Sequence, residues 1–142
     1  MSISTSNCTT FIQVWVDVNA LQQNTTTGCY AVCNITPQSV TTGMGTANLS
    51  TTVTTGTNVC WTVLPIDPQY NGDFTITNIG VESGWNVPPA PVAGLPNTFT
   101  GQLTTTTVNG NVNSNIAFSY NGSGNSITVT LPVTITPVAP VN

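Results

Sequence analysis

Four cysteines are the side chains of this sequence best suited to covalent chemistry: Cys8, Cys29, Cys33 and Cys60. Four cysteines allow three intrachain pairings, and bonds between subunits add further options. Cys29 and Cys33 would share one face of an extended segment about 13 Å apart, too far to bond to each other. Two hypotheses stay open: Cys33 and Cys60 are buried thiols or one intradomain bridge, and Cys8, in a polar N-terminal segment, bonds to a neighbouring subunit.

The sequence favours no metal site. A zinc site with four thiolate ligands is disfavoured, because no close Cys-x-x-Cys pair occurs. Asp67 and Asp73 flank residues 68–72, so this loop offers two carboxylates and the Asn71 amide to calcium. The competing interpretation is turn chemistry, because Asp and Asn side chains bend backbones through local hydrogen bonds. We expect turn chemistry here and predict no cofactor.

Aromatic side chains suggest a second kind of site, a platform on which a sugar ring stacks. Trp61 follows Cys60 in an apolar segment and is expected in the core, whereas Trp85 lies in a proline-rich stretch and is the better surface candidate. A sugar site also needs polar neighbours. The candidate sugar-binding set is Trp85, Asn86, Asn71 and Asp73.

The absence of lysine, arginine and histidine excludes several function classes. Nucleic-acid binding depends on neutralising phosphates with Lys and Arg, so we expect no nucleic-acid partner. Without histidine there is no ordinary base near neutral pH and no Ser-His or Cys-His pair, so we predict that the protein is not an enzyme. No apolar run approaches the roughly 18 residues of a membrane-spanning helix, so membrane insertion is not expected.

The elements that must position these residues are predicted to be strands, because Thr, Val and Asn dominate and good helix formers are scarce. In residues 10–18 the aliphatic residues alternate with polar and aromatic ones. Ile12, Val14, Val16 and Val18 should therefore face the core, and Phe11, Gln13, Trp15 and Asp17 should share the other face. The predicted strands span residues 10–18, 28–36, 47–54, 58–64, 73–80, 98–108, 113–120 and 126–136. Residues 81–96, with four prolines, are predicted to form a loop. This pattern predicts an all-β protein: a single antiparallel β-sandwich of about eight strands, with jelly-roll-like topology.

Three segments carry a family resemblance: VWVDVNAL at residues 14–21, TGMGTANL at 42–49 and TGTNVCW at 55–61. They resemble the AidA/PixA inclusion-body family of bacterial proteins over residues 10–80. The resemblance implies a compact, β-rich cytoplasmic protein that accumulates in inclusions, binds sugars in some cases, and has no defined catalytic site. The chain departs from the family in its missing charge and in having only two methionines.

The domain prediction is a flexible N-terminal arm at residues 1–10, a β-sandwich domain at 11–137 and a C-terminal tail at 138–142. A nearly uncharged surface of Thr, Asn and Ser favours close packing between copies. The leading hypothesis is a structural subunit of an extracellular or surface filament, a homopolymer joined by β-strand addition and intersubunit disulfides. No secretory signal is recognisable in the first residues. The alternatives are a carbohydrate-binding module with a glycan partner and a cytoplasmic inclusion-body storage protein.

Overall fold

The computed structural model describes residues 3–35, 39–69, 73–80, 84–105, 111–122 and 125–139. These residues form a short 3-10 helix (Thr5–Asn7) and twelve strands. The strands are β1 (Thr10–Val16), β2 (Cys29–Cys33), β3 (Thr41–Thr42), β4 (Ser50–Thr54), β5 (Asn58–Pro65), β6 (Asp73–Asn78), β7 (Trp85–Val92), β8 (Leu95–Leu103), β9 (Val112–Asn113), β10 (Ile116–Gly122), β11 (Asn125–Leu131) and β12 (Thr134–Val138). No helix of the described ranges has the length and apolar character needed to span a membrane.

The strands form three sheets, which confirms the all-β prediction. A five-stranded sheet has the order β2-β1-β5-β8-β7, a three-stranded sheet β11-β10-β6, and a four-stranded sheet β3-β4-β12-β9. Two neighbouring pairs differ from the antiparallel expectation, because β1 pairs with β5, and β4 with β12, in parallel. Parallel neighbours need a long connection, which β2 to β4 supply between β1 and β5. The sandwich and jelly-roll parts of the prediction stay predictions.

The core is built from alternating strand residues, as the sequence predicted for β1. Ile12, Val14 and Val16 are fully buried, and so is Trp61 on β5. One cluster of buried side chains includes residues from all three sheets, for example Phe118 on β10 and Ile135 on β12. Burying a side chain of this size stabilises the fold by about 2 to 3 kcal/mol, so these faces fix the register of the sheets.

The loop predicted over residues 81–96 is wrong for most of its length, since Trp85–Val92 is a strand. Its prolines misled the prediction, because proline cannot donate a ladder hydrogen bond. β7 tolerates them as an edge strand, paired only with β8 and with three register shifts along the pair. The strand Leu95–Leu103 also begins earlier than the predicted residue 98.

The predicted strand over residues 126–136 is two strands in different sheets, β11 and β12. Pro132 lies in the gap between them, where the chain leaves one sheet for the other. The two-residue strands β3 and β9 were not predicted, because two residues are too few to show alternation. The predicted domain boundaries stay predictions; β1 begins at Thr10 and β12 ends at Val138.

Several sheet edges are closed by the chain itself. The outer edge of β2 is bonded by the turn at residues 43–46: Ala31 donates to the Thr46 carbonyl at 3.0 Å and accepts from the Gly45 amide at 2.8 Å. On β11, Thr128 donates to the Gln23 side chain at 3.1 Å and accepts from the Asn24 amide at 3.2 Å. Paired edges cannot recruit a foreign strand, so this loop chemistry protects a chain that has no lysines to do so.

Two glycines of the 43–46 turn allow a matched test of its geometry. Gly43 and Gly45 both have positive φ, 71° and 77°. A Cβ at Gly43 would overlap the backbone carbonyl of Asn48, with the carbonyl carbon 2.8 Å away, whereas a Cβ at Gly45 would meet nothing within 4 Å. We expect Gly45→Ala to cost about 1 kcal/mol of unfolding free energy from left-handed strain alone, and Gly43→Ala about 3 kcal/mol or more. Urea unfolding measures the loss of unfolding free energy in each variant. Equal losses in the two variants would contradict the turn geometry.

Candidate functional site

The face of the five-stranded sheet that points away from the core, called the outer face, has a bare half on β1 and β2. Its alternating residues point outward opposite the buried ones. The outward residues of this bare half are Phe11, Gln13, Trp15, Tyr30 and Val32. Phe11 and Tyr30 are 40% and 41% exposed. None of the five is charged, and the nearest acid in sequence, Asp17, follows the end of β1.

Polar groups on the bare half are bonded mostly within the chain. The Trp15 indole Nε1 donates to Gln13 Oε1 at 3.3 Å. Asn34, just after β2, accepts from the Phe11 amide at 2.7 Å and donates to the Thr9 carbonyl at 2.9 Å, so its side chain continues the ladder beyond the strand. A depression of about 330 Å³ lies between these groups, lined by Phe11, Gln13, Val32, Cys33 and Asn34. The depression offers aromatic and aliphatic contact with the Gln13 amide beside it.

Residues 3–9 lie within the predicted N-terminal arm and are called the arm from here on. They cover the other half of the outer face, on β5 and β8. The Thr100 hydroxyl donates to the Ile3 carbonyl at 2.7 Å. Asn58 is bonded to the arm twice: its Nδ2 donates to the Asn7 carbonyl at 3.0 Å, and its own carbonyl accepts from the Thr9 amide at 3.1 Å. As a result Thr100 and Cys60, which are paired on the outer face, are both buried. The arm and the bare half therefore divide one face between them.

The four cysteines form two groups on opposite faces of the five-stranded sheet. Cys29 and Cys33 belong to the main core cluster and share the inner face of β2, as predicted. Cys60 points outward, because its neighbours Val59 and Trp61 belong to that core cluster and it does not. Cys8 lies in the arm beside Cys60, and the two thiols are close enough for each to change the pKa of the other. All four are free thiols.

This placement corrects the hypothesis of a bridge between Cys33 and Cys60, since the sheet itself separates the two side chains. The other part of that hypothesis, buried thiols, agrees with the structure for both residues. Cys8, expected to point towards a neighbouring subunit, is only 7% exposed and lies against its own chain. A bond from Cys8 to another subunit would require the arm to leave the sheet.

Burial makes every thiol a weaker acid than a free cysteine. Loss of hydration raises the pKa of Cys8 from 9.0 to about 11, and the neighbouring Cys60 adds to the effect. Burial alone raises the pKa of Cys29 to about 11. Burial also raises the pKa of Cys33 and Cys60, partly opposed by hydrogen bonds from Thr51 and Thr41 to Cys33 and from Thr62 and Cys8 to Cys60. The thiolate is the reactive form, so no cysteine is activated as a nucleophile at neutral pH.

The predicted sugar-binding set is not assembled around Trp85. The Trp85 ring packs edge-on against the buried Trp61, with 5.4 Å between ring centroids and 68° between planes. Asn86 donates from its amide to Gln102 on the neighbouring strand. Asp73 begins β6 in a different sheet, and Asn71 lies outside the described residues. Sugar binding by this set stays a prediction, and its central aromatic ring is already engaged with the core.

The acidic loop shows local turn bonding on its described side. Asp67 Oδ1 accepts from the Gln69 amide at 2.9 Å, the contact expected of turn chemistry. Asp73 is exposed at the start of β6, and residues 70–72 lie outside the described ranges. Across the part of the chain that the structure describes, no three Cys, Asp or Glu side chains cluster in a way that would hold a metal ion.

The sequence prediction did not assemble the residues of the bare half into a site. The alternation in residues 10–18 placed Phe11, Gln13, Trp15 and Asp17 on one face. The same alternation in β2 puts Tyr30 and Val32 opposite the cysteines, which was the available signal. The register that sets Trp15 opposite Tyr30 and Gln13 opposite Val32 joins the two strands into one surface.

Comparisons with known proteins agree with this fold. A family model described as "Domain of unknown function (DUF8788)" matches residues 8–126. Among solved structures, the chain is similar to the crystal structure of the inclusion body protein PixA from Burkholderia cenocepacia, with a TM-score of 0.63 and 11% sequence identity, over 97% of this chain and 100% of that chain. Likeness at this identity shows the fold alone, and at that level the AidA/PixA resemblance is confirmed. No curated protein sequence matches the chain.

The raised thiol pKa values predict an alkaline loss of stability in the reduced protein. An unfolded cysteine ionises near pH 9, whereas Cys8 and Cys29 ionise near pH 11 in the fold. The folded state therefore holds these protons more tightly, so its stabilisation is complete below pH 9 and is lost as the pH rises towards 11. Urea midpoints measured with reductant from pH 8 to pH 11 should fall. A Cys8→Ala, Cys29→Ala variant controls for tyrosine ionisation, and its urea midpoint should fall less over the same pH range. An equal fall in both proteins would contradict the assignment of the effect to these two thiols.

Proposed function

Since this chain belongs to the DUF8788 family, whose model matches it over residues 8–126, we propose that it is a non-enzymatic structural protein that self-associates into inclusion-type bodies. The observation that carries the proposal is the bare half of the outer face, where Phe11 and Tyr30 are exposed and none of the five outward residues is charged. Large uncovered apolar surfaces on soluble proteins are typical of interfaces with other proteins.

The fold supports this proposal. The similar solved structure is itself described as an inclusion body protein, and the likeness extends over nearly the whole of both chains. We infer that this chain also forms an inclusion body, inside the cell that makes it. The inferred partner is a second copy of the chain.

The charge composition removes the usual barrier to such association. The chain carries four acids and no lysine, arginine or histidine, so its formal net charge is −4. Two copies that meet through uncharged faces bury no charged group, so no charge is desolvated. The small net charge also causes little repulsion between copies at a distance. Association of this kind depends on apolar burial, so it should persist in salt that screens charges.

The two protected edges of the five-stranded sheet favour contact through faces over strand addition at this sheet. A filament built by strand addition needs a free backbone edge, but β2 is bonded by the 43–46 turn and β7 carries prolines at positions 88, 89 and 91. The arm, the segment expected to extend to a neighbour, is bonded to its own sheet. The extracellular filament therefore becomes the alternative, and the inclusion the leading proposal.

Carbohydrate binding is the second candidate function. Its proposed site is the bare half and no longer the surroundings of Trp85. The depression beside Phe11 and Gln13 combines an exposed ring with a side-chain amide, a combination that sugar sites use. This function predicts binding to a glycan array that is lost in Gln13→Ala, a substitution that keeps both exposed aromatic rings of the bare half.

A pair of substitutions on the bare half tests the proposal. Phe11→Thr with Tyr30→Thr removes most of the exposed aromatic area, worth about 2 kcal/mol per contact, so the saturation concentration should rise by about tenfold or more. The measurement is the soluble concentration in equilibrium with the assembled phase, at low salt and at 1 M salt. Because both side chains are half-exposed, thermal melting should show a folded variant.

The matched control changes equally exposed apolar residues elsewhere, Ile66→Thr with Leu95→Thr, at 48% and 44% exposure. These substitutions remove comparable area outside the bare half and should leave the saturation concentration nearly unchanged. An equal effect of both pairs would assign association to general hydrophobicity. Wild-type protein that stays monomeric at millimolar concentration, with and without salt, would overturn self-association itself.

A further inference from the structure

We propose that Cys8 and Cys60 are a disulfide site, at which an intrachain bond fastens the arm to the outer face of the five-stranded sheet. The inference does not depend on the proposed function, because it concerns how one chain holds its own segment. It assigns partners to two of the four cysteines and leaves Cys29 and Cys33 as core thiols.

The first argument is the proximity of the two buried side chains. The Cys8 and Cys60 residues are 7% and 5% exposed, and their thiols are close enough for each to change the pKa of the other. Both are buried, yet neither belongs to the main core cluster. They form a separate buried pair between the arm and the sheet.

The second argument is that the backbone is already held on both sides of Cys8. Asn58 accepts from the Thr9 amide at 3.1 Å and donates to the Asn7 carbonyl at 3.0 Å. Asn58 stands two residues before Cys60 on the same face of β5, so one side chain and one carbonyl fix the arm next to Cys60. The Cys8 amide is also bonded, to the Thr5 carbonyl at 3.2 Å. These bonds hold the backbone of the arm beside Cys60.

The third argument is the absence of a competing partner within reach. Cys29 and Cys33 lie on the inner face of the same sheet, and the strands themselves separate them from Cys60. Cys60 Sγ has the Thr62 hydroxyl at 3.8 Å as its other polar neighbour, and Cys8 Sγ has the Ser4 carbonyl at 3.7 Å. Neither of these groups is a redox partner, so each thiol can bond only to the other within the described fold.

The chemistry is thiol–disulfide exchange with a low-molecular-weight disulfide as oxidant. One thiol loses its proton, and its thiolate attacks the small disulfide, which releases one small thiolate and leaves a mixed disulfide. The second cysteine, also deprotonated, displaces the remaining small thiolate and forms the Cys8–Cys60 bond. Two protons and two electrons leave the protein, and the oxidant is reduced to two small thiols. Because both thiols are buried, attack requires brief opening of the arm, so the reaction is slow.

The experiment equilibrates the folded, full-length chain with oxidised glutathione. Intact mass should fall by about 2 Da, the two hydrogens lost when one disulfide forms. The product should run as a monomer on a non-reducing gel, and pepsin fragments should contain Cys8 joined to Cys60; trypsin has no site in this chain. Closing the loop from residue 8 to 60 should raise the melting temperature by on the order of 10 °C relative to reduced protein.

The matched variants are Cys8→Ala and Cys33→Ala. The first should abolish both the mass loss and the thermal shift, and the second should keep both. Alkylation of the oxidised wild-type chain after denaturation should label two cysteines, Cys29 and Cys33, which gives the same answer if a variant fails to fold.

Three outcomes would overturn the proposal. Reducible dimers that disappear in Cys8→Ala would show that Cys8 bonds to a second subunit. A fragment joining Cys60 to Cys29 or Cys33 would show that the sheet does not separate them. Four thiols still reactive after denaturation, at equilibrium with excess oxidised glutathione, would show that the contact does not support a bond.

Discussion

The parallel pairing of β1 with β5 aligns seven consecutive residues of each strand, from Thr10 opposite Val59 to Val16 opposite Pro65. On the inner face this register sets Ile12 beside Trp61 and Val14 beside Val63, all fully buried. A one-residue slip would turn those side chains outward, so core burial locks the register. The same register brings the segment before β1 alongside β5, and the arm consequently lies over Cys60. The division of the outer face into covered and bare halves is thus a consequence of core packing.

Because the chain has no lysine, its sheet edges must be protected from pairing with other chains in a different way. Many β proteins use lysines or inward-pointing charges on edge strands to prevent pairing with other chains, and this sequence has no lysine. Backbone geometry replaces them: the 43–46 turn bonds the edge of β2, and prolines interrupt donors along β7. Such protection acts at edges but not on faces. On the outer face of β1 and β2, Phe11 and Tyr30 remain exposed.

The alternation of apolar and polar residues was sufficient to predict strands that have one buried and one exposed face. The alternation of residues 10–16 predicted the buried side of β1, and the apolar setting of Trp61 predicted its burial. The pattern failed for β7, whose prolines are compatible with an edge position that only the sheet order reveals. It also failed to bring Cys8 and Cys60 together. Contact between Cys8 and Cys60 depends on β1 lying beside β5, a pairing between segments about fifty residues apart, and no local signal in either segment encodes it.

The five-stranded sheet has a further effect on the cysteines, since it divides them into two chemical environments. Cys29 and Cys33 are surrounded by core side chains, where a thiol acts as a small apolar group and its ionisation is opposed by burial alone or nearly so. Cys8 and Cys60 are buried only because the arm covers them, so access to them depends on the arm's hydrogen bonds to Asn58 and Thr100. Opening the arm requires loss of those bonds but leaves the core intact. A local opening of this kind is lower in free energy than global unfolding, so the outer pair can respond to its surroundings while the inner pair does not.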